Sequence, residues 1–70
     1  MKTIFSTRLK ELRNEKNFTQ RKIAELMNVS QVSYLHWEQG KTQPDIENIV
    51  KLCQLFGVSA DYLLGLKDYE

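Results

Sequence analysis

The stretch that most constrains this chain is Thr19 to Glu38, TQRKIAELMNVSQVSYLHWE. Ile23, Leu26 and Met27 fall at helical spacing, with Ala24 beside them, which predicts one short amphipathic helix. Tyr34 and Trp37, three apart, predict the inward face of a second. Thr19 and Ser30 each stand where a hydroxyl can accept an orphan backbone N–H at a helix start. Asn28 falls where the first helix must stop, and Asn tolerates the positive φ that such a stop requires. Val29 then plugs between the helices. Gln31, Val32, Ser33, Leu35 and His36 are left to face elsewhere. The prediction is two short helices joined by a tight turn.

The rest of the chain supplies elements for these two to pack on. Ser6 to Lys16 reads as a helix capped by Ser6, with Phe5, Leu9 and Leu12 forming an apolar stripe. Asn14 to Asn17 is polar and closes it. Phe18, just before Thr19, occupies the place of a hydrophobic staple. The helices at the centre are expected over Thr19–Met27 and Ser30–Gln39, the second ended by Gly40. After the loop Lys41–Pro44, Pro44 and Asp45 start a helix to Phe56. Its apolar residues Ile46, Ile49, Val50, Leu52, Cys53 and Phe56 predict a broad buried face. Gly57 ends it, Ser59 caps a short helix Ala60–Leu64, and Gly65 stops that. Residues 66–70 form a short tail without a strong signal. Helices joined by such short loops imply a compact all-α bundle of five.

Seventy residues make one domain, 1–70, with a small core. A single cysteine forms no internal disulfide, which agrees with a reducing cytoplasm. No apolar run approaches the ~20 residues of a membrane span, and the start lacks the apolar centre of a signal peptide. A cytoplasmic protein with no membrane partner is expected. The net charge of +1 hides an asymmetry. Before Pro44 there are eight Lys/Arg against four Glu; from Pro44 onward, two Lys against five acids. The basic half holds the two-helix stretch. A basic face there suits a nucleic-acid binder, although a solvated surface explains charge alone about equally well.

The combined pattern resembles the Cro/cI-type (XRE) helix-turn-helix DNA-binding family. Gln20, Ala24, Asn28, Val29, Tyr34 and Trp37 match its motif. Trp37-Glu38-Gln39-Gly40-Lys41 resembles its W-E-x-G-K/R ending. Pro44, Phe56-Gly57-Val58-Ser59 and Asp61-Tyr62-Leu63-Leu64 match its tail. The likeness runs from about Phe5 to Gly65. Two positions depart from it: Asn28 stands where Gly is usual, and Tyr34 where a smaller Ile or Val is usual. The resemblance implies a five-helix lambda-repressor-like domain that binds double-stranded DNA in the major groove and regulates transcription, as a repressor. It also implies a homodimer, with Tyr62, Leu63, Leu64 and Leu66 finishing the core or helping to form the dimer.

On that reading Gln31, in the first turn of the second motif helix, reads a base. Its amide offers a donor and an acceptor side by side, matching adenine. Val32 can meet a thymine methyl, and Ser33 a base edge or a phosphate. His36 is a polar contact residue. Gln20 holds a phosphate at a helix start. Arg13 is expected to pair with Glu38 and to touch the DNA backbone, and Lys41 to meet a phosphate from its loop. The plainer alternatives are an exposed Gln31 and a surface ion pair worth ~0–1 kcal/mol for Arg13 and Glu38. Arg8, Lys10, Lys16, Arg21 and Lys22 add diffuse attraction only.

No enzyme motif, cofactor site or small-molecule ligand is evident. His36 has no second ligand at metal spacing, and Cys53 reads as a small buried hydrophobe. A competing reading is an antitoxin or adaptor on the same fold, with Leu35 and the C-terminal apolar residues against a partner protein.

Overall fold

The computed structural model describes residues 3–69. The last residue of the tail, Glu70, lies outside them. Five helices follow one another: α1 Ile4–Glu15, α2 Gln20–Met27, α3 Gln31–Gln39, α4 Ile46–Phe56 and α5 Ala60–Leu63. There is no strand among the described residues. The bundle measures 28 × 24 × 22 Å.

Each helix starts on a side chain that accepts a backbone N–H three residues on. Thr19 serves Lys22, Ser30 serves Ser33, Asp45 serves Asn48 and Ser59 serves Tyr62. At α1 the expected cap is displaced. Thr3, not Ser6, is the N-cap. Thr3 Oγ1 accepts from the Ser6 N–H at 3.1 Å, and Ser6 Oγ accepts from the Thr3 N–H at 2.8 Å. A reciprocal box satisfies two orphan donors where a lone Ser6 cap would satisfy one. The helix therefore begins earlier, and Ser6 is wholly buried inside it.

The ends follow one rule. Asn17, Asn28, Gly40, Gly57 and Gly65 all have φ between 57° and 88°. In each case the next N–H reaches back to the carbonyl five residues earlier. Phe18 bonds Arg13, Val29 bonds Ala24, Lys41 bonds His36, Val58 bonds Cys53 and Leu66 bonds Asp61. This closes orphan carbonyls at all five helix ends. Asn17 and Asn28 take the left-handed conformation that glycine usually supplies.

The core joins Phe5, Leu9 and Leu12 of α1 to Ile23, Ala24 and Met27 of α2 and to Tyr34 and Trp37 of α3. Leu52 and Phe56 of α4, with Val58 and Leu63, close it from the other side. Phe18 and Val29 pack against it half-buried, as a staple and a plug. Two expectations of burial fail. Leu26 is 47% exposed, and on α4 Ile46 and Val50 are 80% and 49% exposed. α4 packs on α2 and α5, and its buried residues, Leu52 and Phe56, lie in its C-terminal half. Ile46 and Val50, one turn apart, form an edge outside that contact. The apolar face of α4 is thus narrower than its composition suggests.

Arg8 also departs from expectation. It stacks on the Tyr62 ring, 4.2 Å from its centroid, and donates to the carbonyls of Tyr62 and of Lys67, the latter at 2.6 Å. It pins the tail to α1 instead of supplying diffuse charge.

Candidate nucleic-acid interface

The first turn of α3 is anchored on one side and open on the other. Ser30 caps it through the Ser33 N–H at 3.0 Å, and the Ser30 hydroxyl donates to Ser33 Oγ at 2.9 Å. Tyr34 and Trp37 fix the inner side, their rings edge to face with centroids 5.9 Å apart. Gln31, Val32 and Ser33 are left exposed, Val32 at 61%. They present an amide, two methyls and a hydroxyl that still has its own proton to donate. His36, a turn further on, is half-buried, and Lys41 is exposed just past the helix end.

A second group of residues is drawn together from three helices. Glu38, 4% exposed, accepts from Arg13 Nε at 2.6 Å and from Arg13 Nη2 at 3.2 Å. Gln20 Nε2 donates to the same carboxylate at 3.2 Å. Arg13 Nη1 donates to the Phe18 carbonyl at 2.8 Å. The side chains of Arg13 and Glu38 are 11% and 3% exposed, so this is a buried, two-pronged ion pair and not a surface one. It clamps α1 to the end of α3 and steadies the start of α2. Burial pushes the Glu38 carboxyl up, but Arg13, the nearby Tyr34 hydroxyl and Gln20 outweigh it and hold the group below the usual carboxylate range. Glu38 in turn raises the pKa of Arg13.

The first turn of α2 carries Gln20, Arg21 and Lys22 and no acid of its own. The candidates therefore fall into two sets. Gln31, Val32 and Ser33 share one open turn. Gln20 and Arg13 meet on Glu38, leaving Arg13 little open surface. The bond between Gln20 and Glu38 and the place of Tyr34 beside the ion pair were missed in the sequence. The helical spacing of Tyr34 and Glu38 was the signal available for the second.

Away from these residues, a groove of about 310 Å³ is lined by Thr3, Ile4, Phe5, Gln43, Pro44, Ile49 and Leu64. No helix among the described residues is long and apolar enough to cross a membrane.

The model of the helix-turn-helix family matches residues 9–63. The chain belongs to the XRE-type helix-turn-helix family. Among its relatives in Bacillus subtilis strain 168 is the HTH-type transcriptional regulator ImmR, 40% identical over 58 residues, 83% of this chain and 46% of the relative. Another is the SPbeta prophage-derived uncharacterized HTH-type transcriptional regulator YonR, 36% identical over 61 residues, 87% of this chain and 56% of the relative. The chain thus spans about half the length of these relatives. Among solved structures, the P22 c2 repressor in complex with synthetic operator 9T superposes with a TM-score of 0.82 at 28% identity, covering 90% of this chain and 96% of that one. The lambda-repressor-like five-helix fold is that of the family.

Proposed function

We propose that this helix-turn-helix domain binds double-stranded DNA by laying the first turn of α3 in the major groove, and that it regulates transcription as a repressor. The observation that carries the reading is that open turn: Gln31, Val32 and Ser33 exposed on a helix whose other side is locked into the core. The likeness to a repressor solved with its operator supports it. Gln31 is the principal base reader, with Val32, Ser33 and His36 beside it. Gln20, Lys41 and the Nη edge of Arg13 serve phosphates, which supply most of the affinity. Repression would follow from occupying an operator and excluding polymerase.

One short helix reads only a few base pairs, so two copies on a two-fold site are part of the proposal. Leu64 and Leu66, 44% and 76% exposed, leave apolar surface for such pairing. The competing adaptor reading has less support at Leu35, which is half-buried and not openly displayed. Selection of bound sequences from random duplex DNA tests the proposal. Enrichment of a defined site by this chain alone is expected. Failure to enrich any sequence at low salt would reject it.

A further inference from the structure

Ser30 and Ser33 stand at the two ends of the first turn of α3, and their hydroxyls are joined. Ser30 Oγ accepts the Ser33 N–H at 3.0 Å and donates to Ser33 Oγ at 2.9 Å. Ser6 holds the same place in α1, three residues past its cap. The Ser6 hydroxyl accepts from the Thr3 N–H at 2.8 Å and donates to the Thr3 carbonyl at 2.9 Å, and Ser6 is wholly buried. Ser6 thus spends its proton on its own helix end. Ser33 is tied instead to the side chain of its cap, and it is exposed beside Gln31 and Val32.

The direction of the bond between the two hydroxyls decides what Ser33 can offer. Ser30 Oγ already accepts an N–H, and a hydroxyl that accepts one bond donates the next more strongly. The opposite direction would load Ser30 Oγ with two donors and spend the Ser33 proton on it. Running from Ser30 to Ser33, the bond leaves the Ser33 proton free. It also polarises Ser33 Oγ, which strengthens that proton as a donor and weakens the remaining lone pair as an acceptor.

We infer that Ser30 is a positioning residue that makes Ser33 a hydrogen-bond donor to the floor of the major groove, so that Ser33 selects guanine or thymine against cytosine. Guanine and thymine show hydrogen-bond acceptors alone on that edge, N7 and O6 or O4, whereas cytosine shows its N4 donor. Adenine shows one of each and falls between them. Ser30 acts on the base only through Ser33. This role rests on the DNA reading above and deepens it by fixing which way the hydrogen bond at Ser33 runs.

The test compares the wild type with Ser33→Ala, Ser30→Asp and Ser30→Gly. Thermal unfolding checks that each is folded. The wild type is used to select a site from random duplex DNA, and all four proteins are then titrated with that site altered one base pair at a time. Aspartate caps a helix as well as serine does, but a carboxylate only accepts. Ser30→Asp therefore draws the Ser33 proton inward and leaves lone pairs facing the groove. Its charge repels the phosphates of every sequence alike, so the readout is the ratio of affinities between duplexes. At one position of each half-site the wild type should favour guanine or thymine over cytosine about 3- to 10-fold, the worth of one hydrogen bond. Ser33→Ala should lose that ratio and leave the other positions as they were. Ser30→Asp should abolish or reverse it. Ser30→Gly, which nearly preserves the helix start, should reduce it without adding charge, and it alone decides if Ser30→Asp binds no DNA. Retention of the full ratio by either Ser30 variant overturns the inference. So does a uniform loss of affinity in Ser33→Ala, which would put Ser33 on a phosphate, or an unchanged set of ratios there, or a wild-type preference for cytosine at the Ser33 position. In those cases the site selected by the wild type leaves the DNA reading standing. If the wild type selects no site, the DNA reading fails and this inference fails with it.

Discussion

Gln20 and Gln31 carry the same amide in different surroundings, and their substitutions should separate. Gln20 stands at a helix start, tied to Glu38, so Gln20→Ala should weaken good and poor sites alike. Gln31 is exposed on the open turn of α3. Gln31→Ala should cost ~1–3 kcal/mol at the best site, far less at poor ones, and relax preference at one or two positions. Neither residue is charged, so the salt dependence should barely move. Lys41→Ala should lower the salt slope by about one. Affinities for matched and single-base-altered duplexes at several salt concentrations check all three. If Gln31→Ala weakened every site equally, base reading would pass to Val32, Ser33 or His36. Glu38 makes a different prediction. Its folded pKa is lowered, so its contribution is present above the unfolded value of about 4.3 and is lost as pH falls through the folded value. Glu38→Gln should therefore reduce stability at neutral pH and flatten the loss of stability below about pH 4. Unfolding free energies from pH 2 to 7 measure this.

At the scale of the element, the helix ends offer controlled comparisons. Asn28 has φ 57° and ψ 43°, and its side chain is exposed. Asn28→Gly removes left-handed strain but loosens the unfolded chain, so stability should change by less than about 1 kcal/mol. A greater loss in denaturant unfolding would reveal a structural bond from the Asn side chain. Gly57 and Gly65 form a sharper pair. A Cβ on Gly57 meets nothing within 4 Å, whereas one on Gly65 falls 2.8 Å from Ile4 Cγ2 and 3.1 Å from Ile4 Cβ. Gly57→Ala should cost about 1 kcal/mol for its positive φ alone. Gly65→Ala should cost more, because Ile4 must also give way. Equal losses in the two variants would show that Ile4 moves freely.

For the molecule as a whole, the proposal requires two copies on DNA. The selected site should be an inverted repeat whose halves lie about 34 Å apart, one helical turn. A non-repeated site bound by one chain would contradict the dimer and leave the role of α3 standing. The exposed edge of Ile46 and Val50 and the exposed Leu64 and Leu66 are apolar surface left over by the fold. Changing Leu66 to Asp should weaken binding to the full repeat and spare binding to a half-site. Equal effects on both would place Leu66 outside the pairing surface.

Much of this was legible in the residues alone, because the forces involved act over a few residues. The Thr19, Ser30, Asp45 and Ser59 caps each reach only three positions along the chain. The left-handed Asn28 and the glycine ends depend on local sterics, and helical spacing picked Tyr34 and Trp37 for the core. From these came the five helices, the tight turn and the open turn of α3 that carries the candidate readers. Ser6 shows the margin of error even there, since Thr3 offered a box with two bonds in place of one. Other features depended on what packs across from a residue, which no local pattern contains. Ile46 and Val50 look as apolar as Leu52 and Phe56, but α2 and α5 cover only part of α4. Glu38 lies 25 positions from Arg13 and 18 from Gln20. Their meeting, with Tyr34 beside them, exists only once α1, α2 and α3 are packed, because burial alone turns a surface ion pair into a clamp whose every donor counts.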